Sequence, residues 1–244
     1  MPPLSEIFHS ITNRIIILTV AVYCIIELVY SGQRSGFELY NWQSPNFQIW
    51  QLISHMFLHG SVPHLFLNMF GLWMFGRTLE RVWGKKRFLI FYLSCGIGAA
   101  VIHLLVTHFQ FQSLYNSIYE SGYTQHQIEN LLQTGRYFID GTNAVSKEMQ
   151  GELYFSYHVP TVGASGAIYG ILAAFALLFP NTKLALIFLP VPVAAKYFVP
   201  ILLLIDLTGG LTGVSIFGQN IAHFAHIGGA IVGFILVMFW RRRE

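Results

Sequence analysis

Six stretches of this 244-residue chain are too long and too apolar to lie comfortably in water: roughly 14–31, 62–80, 87–108, 164–180, 196–209 with the preceding 184–195, and 220–240. A run of about 20 apolar residues matches the thickness of a bilayer's hydrocarbon layer. Within that layer every backbone N–H and C=O must be satisfied internally, so such runs fold as helices. The expected fold is therefore an all-α membrane protein, a bundle of six transmembrane helices. Its makeup, 54% hydrophobic and 10% charged residues, lies outside the range of soluble domains. Pro190, Pro192 and Pro200 interrupt the fifth run, which predicts an extended or re-entrant approach with its helix starting near Ala194.

Lysine and arginine bias sets the expected orientation. Arg77, Arg81, Lys85, Lys86 and Arg87 lie between the second and third spans, Lys183 and Lys196 between the fourth and fifth, and Arg241, Arg242 and Arg243 at the end. Both termini are accordingly expected on the cytoplasmic side, as a short segment 1–13 and a basic tail 241–244 flanking a membrane domain 14–240. The first apolar run has no small-x-small site after Tyr30 and reads as an uncleaved span. The segment 109–160 is the one long polar stretch and carries a net charge of −3, as expected of an extracytoplasmic insert between helices 3 and 4. Its Gln127–Gln133 region has amphipathic character. The basic residues form no nucleic-acid surface, and Cys24 and Cys95 lie in apolar runs where they pack rather than form a disulfide framework.

Ionisable residues at membrane depth are costly and point to function. Ser165 sits in Gly163-Ala164-Ser165-Gly166 at the head of the fourth span, and His226 in Ala225-His226-Ile227-Gly228-Gly229 near the head of the sixth. With helices 2, 4 and 6 running the same way, His64, Asn68, Ser165 and His226 fall in one shallow layer. Gly166 and Gly170, and Gly229 and Gly233, form G-x-x-x-G faces that let helices approach closely. A Ser–His hydrogen bond requires such an approach. His64 and Asn68 share a helix face at i, i+4, as donors to an oxyanion beside the Ser165 N–H. Tyr169, four residues beyond Ser165, is placed to buttress the imidazole.

Other polar residues receive lesser roles. His223 competes weakly with His226 as base. Asp206, near the outer end of helix 5, is a candidate third triad member but reads as structural, and Glu27 reads as interfacial. His55 and His59 tie the first loop to helix 2. No metal spacing stands out, His103 and His108 pointing apart at i, i+5; neither metal nor cofactor is expected.

Taken together, these residues resemble the rhomboid family of intramembrane serine proteases. The resemblance runs from about Trp50 to Gly233. It includes His55-Met56-Phe57-Leu58-His59-Gly60-Ser61, His64 to Asn68, Gly76, Glu80, Gly84, the Ser165 tetrad with Tyr169, and the His226 block. It implies a six-helix, rhomboid-type bundle whose water-filled cavity opens outward. Ser165 and His226 would form a dyad with no acidic third member, and His64, Asn68 and the Ser165 backbone would hold the oxyanion. Gly163, Gly166, Gly229 and Tyr169 would support them, while Trp50, Glu80 and Arg81 look like structural positions. The family often has Trp-Arg where this chain has Trp50-Gln51, and the long insert is unusual for compact bacterial members. Placed next to the serine, the insert is expected to modulate substrate approach.

The implied activity is cleavage of single-span membrane proteins near their outer boundary, in a prokaryotic inner membrane and within the lipid bilayer. The alternative is a catalytically silent relative that binds membrane proteins; such relatives usually lack the serine or the histidine. A transporter would predict internal repeats and several broken helices, which are not found.

Overall fold

A computed structural model describes residues 9–29, 36–138, 145–186, 189–213 and 221–241. The outer parts of the expected terminal segments, including Arg242 and Arg243, lie outside the described residues, as does Asp140 of the insert.

Among the described residues the first named helix is α1 (Ile11–Val29), followed by a short α2 (Gln51–Ser54) that tightens into a 3₁₀ turn over His55–Phe57. Next come α3 (Val62–Gly71), a widened π turn over Leu72–Gly76, and α4 (Arg77–Glu120). Two polar-faced helices, α5 (Gln125–Thr134) and α6 (Lys147–His158), lead to α7 (Ser165–Leu178). A small antiparallel hairpin, β1 (Lys183–Leu186) and β2 (Leu189–Ala194), connects to α8 (Ala195–Thr212) and α9 (His223–Arg241).

Four helical stretches are long and apolar enough to cross a membrane by length and composition: Ile11–Val29, Val62–Glu120, Ala195–Thr212 and His223–Arg241. The second is not one straight rod. Gly84 has φ +75°, outside the helical region. A Cβ on Gly76 would lie 3.1 Å from the Phe88 ring, whereas a continuous helix would separate residues twelve apart by about 18 Å. The chain therefore folds back at Gly84, with Lys85, Lys86 and Arg87 at the bend, and the second and third expected spans are two legs of one hairpin. The returning leg outlasts the expected end at 108 because Phe111, Tyr115 and Ile118 continue an apolar stripe that packs with α5 and α6.

The helix α7 is apolar but has only 14 residues. At 1.5 Å per residue it spans about 21 Å, short of a hydrocarbon layer of about 30 Å. It is also the most enclosed helix, packed between α4 and α9 with Ile168, Ile171 and Ala174 buried.

The start of α1 also differs from the sequence expectation, for a physical reason. α1 starts at Ile11 rather than 14 because the Glu80 carboxylate caps it, accepting from Ile11 N at 2.7 Å, Thr12 N at 2.9 Å and both the Ser10 and Thr12 hydroxyls at 2.6 Å. An anion at a helix N-terminus satisfies otherwise unpaired donors. The interrupted approach to the fifth span is the β1–β2 hairpin, and α8 then starts at Ala195 and carries Pro200 inside it.

Candidate active site

Ser165 is the first residue of α7, where backbone N–H groups lack intrahelical acceptors. The preceding Gly163 holds φ +127°, a conformation that favours glycine. Its N–H donates to the His55 carbonyl at 2.9 Å. A Cβ there would lie 2.9 Å from both Cε1 and Nε2 of His64, so glycine also makes room for that ring.

The close approach of α7 and α9 is written in their missing side chains. A Cβ on Gly229 would lie 1.8 Å from the Gly166 carbonyl oxygen, and one on Gly233 would lie 2.6 Å from the Gly170 oxygen. At this spacing Ser165 Oγ lies 2.7 Å from His226 Nε2. The Tyr169 ring stacks on the His226 imidazole, with centroids 4.2 Å apart and planes within 10°.

Asp206 of α8 stands on the far side of the imidazole, its Oδ1 3.0 Å from His226 Nδ1 and 2.6 Å from His223 Nδ1. Tyr169 donates its hydroxyl to the other carboxylate oxygen. The resemblance implies a dyad with no acidic third member and a structural Asp206; the structure sets the Asp206 carboxylate directly behind the histidine. The reason is tertiary, since α8 and α9 converge and no local pattern marks that pairing. The ligand atoms of Asp206, His223 and His226 lie within 4.8 Å of one another, close enough for a metal ion. Their mutual hydrogen bonds account for the clustering.

His64 lies in the first turn of α3, whose Ser61 cap accepts from His64 N at 3.3 Å. Its ring meets that of His59 edge-on at 5.1 Å. Asn68 is buried, but its amide donates to the His64 carbonyl at 3.0 Å on its own helix rather than reaching Ser165. Of the expected site residues, then, Ser165, His226, Tyr169, Gly163, Gly166, Gly229 and the His64 ring are gathered together, while the Asn68 side chain is turned back.

The first loop is fastened through Gln51, fully buried, which donates to Asn46 O at 2.8 Å and accepts from Tyr40 N at 3.2 Å. Trp50 donates to Gly36 O at 2.9 Å. A neutral amide thus serves the loop where an arginine is common. His55 Nδ1 donates to Gln51 O at 2.7 Å, and burial pushes its imidazole down to about 4, which keeps it neutral. His103 pairs with Thr161 and His108 with Trp42, so these two histidines serve separate contacts.

The Rhomboid domain family matches residues 46–243, most of the chain and all of the cluster around Ser165. The chain belongs to the rhomboid family. It is 28% identical to presenilin-associated rhomboid-like protein A, mitochondrial, of Danio rerio, over 79% of this chain and 39% of that protein. It is 26% identical to rhomboid protein 1, mitochondrial, of Saccharomyces cerevisiae, over 75% of this chain and 39% of that protein. The Bacillus subtilis rhomboid protease GluP is 27% identical over 52% of this chain and 25% of that protein. The chain spans about two fifths of the length of the mitochondrial relatives it matches.

Proposed function

We propose that this rhomboid-family chain hydrolyses peptide bonds of single-span membrane proteins within the bilayer, with Ser165 as nucleophile and His226 as base. The observation that carries the reading is the 2.7 Å contact between Ser165 Oγ and His226 Nε2 at the head of a helix too short to span the bilayer. Ser165 Oγ attacks the scissile carbonyl as its proton passes to His226 Nε2. The tetrahedral oxyanion is met by the Ser165 N–H and the His64 ring, and by Asn68 once its amide rotates off the His64 carbonyl. Collapse expels the amine, which takes the proton from His226. Water then releases the acyl group through the same base.

Lysine and arginine bias supports an orientation with both termini and the Gly84 bend on the cytoplasmic side, the insert outside, and the reaction just below the outer face. The GluP relative's name as a protease supports the activity. A prokaryotic inner membrane is the proposed location; the relatives named mitochondrial make a mitochondrial membrane the rival, and fractionation of tagged protein in its host separates the two.

The test is cleavage of a membrane-spanning reporter by the purified protein, beside Ser165→Ala and His226→Ala. Loss of at least about 10³-fold in both, with helicity retained, is the expected result. Cleavage that persists in Ser165→Ala overturns the reading. A native protein that neither cleaves nor reacts with a fluorophosphonate points to the silent, binding alternative.

A further inference from the structure

The carboxylate of Asp206 is fully buried, with 0% of the residue exposed. A buried charge is tolerated only when it is paired or richly hydrogen-bonded. Among the described residues its hydrogen-bond partners are three donors on two other helices: Tyr169 of α7, and His223 and His226 of α9. His223 and His226 are three residues apart and share a helix face.

An ionised carboxylate only accepts, so both imidazole Nδ1 atoms facing it are donors. For a neutral His226 this leaves Nε2 without hydrogen, directed at Ser165 Oγ. That is the tautomer able to take the serine proton. With hydrogen on Nε2 instead, the same 2.7 Å contact would be unproductive. We propose that Asp206 is a positioning residue for the reaction proposed above, selecting the tautomer of His226, with Tyr169 and His223 holding its carboxylate in place.

The surroundings fit this role. The Tyr169 ring lies flat on the imidazole while its hydroxyl holds the carboxylate, so one side chain fixes both the plane of the base and its acceptor. His223 is seated against Gly209, where a Cβ would lie 2.8 Å from its Cε1 and Nε2. During attack the proton moves from Ser165 Oγ to His226 Nε2 and the base becomes an imidazolium. Asp206 stays ionised and keeps the Nδ1–H, so its charge offsets the new positive charge without receiving a proton.

A purely structural Asp206, one that only fastens α8 to α7 and α9, makes a different prediction. The test combines two readouts on the full chain in detergent micelles: the rate at which a fluorophosphonate labels Ser165, and the ¹⁵N shifts of labelled histidine, which report which ring nitrogen of His226 carries hydrogen. Asp206→Asn keeps the side chain's size and one acceptor oxygen but offers an amide donor. It is expected to slow labelling about 10²- to 10⁴-fold at unchanged helicity and to shift hydrogen from Nδ1 to Nε2 of His226. His223→Gln, which leaves the His226 contact in place, is expected to slow labelling only about tenfold, within the range of a lost supporting contact. Native labelling in a folded Asp206→Asn, or hydrogen on Nε2 in the native protein, overturns the inference. Because the native spectrum alone fixes the tautomer, the inference is decided even where Asp206→Asn does not fold. If the native chain fails to label at all, the proposed hydrolysis falls, while the tautomer still decides the role of Asp206.

Discussion

The seam between α7 and α9 and the insert built by α5 and α6 hold their helices together by opposite means. In the seam, Gly166, Gly170, Gly229 and Gly233 bring backbone against backbone, and a Cβ added at Gly229 would meet a carbonyl oxygen at 1.8 Å. In the insert, Phe111, Ile118, Ile128, Leu131, Leu132 and Leu153 form a separate apolar cluster made of side chains. The first joint has no flexible atom that can yield; the second is an ordinary small core whose side chains can shift. The residues of the proposed chemistry straddle the rigid joint. A serine–histidine contact tolerates little displacement, since an error of about 1 Å can cost about 100-fold in rate.

Among tests of this contrast, the largest expected effect therefore comes from Gly229→Ala. One methyl group, barely felt at most helix positions, must here push α9 off α7 and draw His226 away from Ser165. Fluorophosphonate labelling of Ser165 should fall about 100-fold or more while the protein still inserts in membranes and remains helical. Labelling within about twofold of native would show that the seam has slack, and the contrast with the insert would collapse.

The rigid joint was also the more legible of the two in the sequence. Small residues at four-residue spacing directly after Ser165 and His226 announce a close crossing without any knowledge of the neighbours, because the signal is local. Asp206 stood out in the sequence only as a carboxylate near the outer end of the fifth span, with no local pattern pairing it with His226. It lies 17 residues before His223, across a segment that includes 214–220, and nothing in that spacing says that α8 turns its carboxylate toward α9. The cap of α1 was hidden for the same reason, since Glu80 meets Thr12 from 68 residues away. The Asn68 amide illustrates the complementary limit: its i, i+4 pairing with His64 was readable, but that same spacing lets it bond the His64 carbonyl instead of facing the serine.

A smaller effect is expected from Leu131→Ala in the insert. Leu131 is fully buried in the separate cluster, and truncating a buried leucine costs about 2–5 kcal/mol. Hydrogen exchange should show that loss in α5 and α6, with amides of α7 and α9 unaffected. A fluorophosphonate is small and needs no docked polypeptide, so Ser165 should label at nearly the native rate. Cleavage of a membrane-spanning reporter is the sharper readout: a fall there with labelling intact would place the insert on the substrate's path. A parallel fall in labelling would mean that the two regions are one mechanical unit.

The smallest effect tests how the insert begins. Thr124 caps α5 reciprocally: its hydroxyl accepts from Gln127 N at 3.3 Å, and the Gln127 side chain accepts from Thr124 N at 2.8 Å. This capping box satisfies two donors that the first helical turn would leave unpaired. Thr124→Ala removes the hydroxyl, at a cost of about 1 kcal/mol, equivalent to roughly a fivefold change in a local opening equilibrium. Protection of the Gln127 and Ile128 amides should drop by about that factor, with no change in the overall thermal midpoint or in Ser165 labelling. Unchanged protection would mean that α5 is held by the burial of Ile128 and Leu131 alone and that its cap contributes nothing measurable. A loss spreading into α4 would mean that the cap also steadies the turn at Ser121 and Gly122, through which the long returning helix hands the chain to the insert.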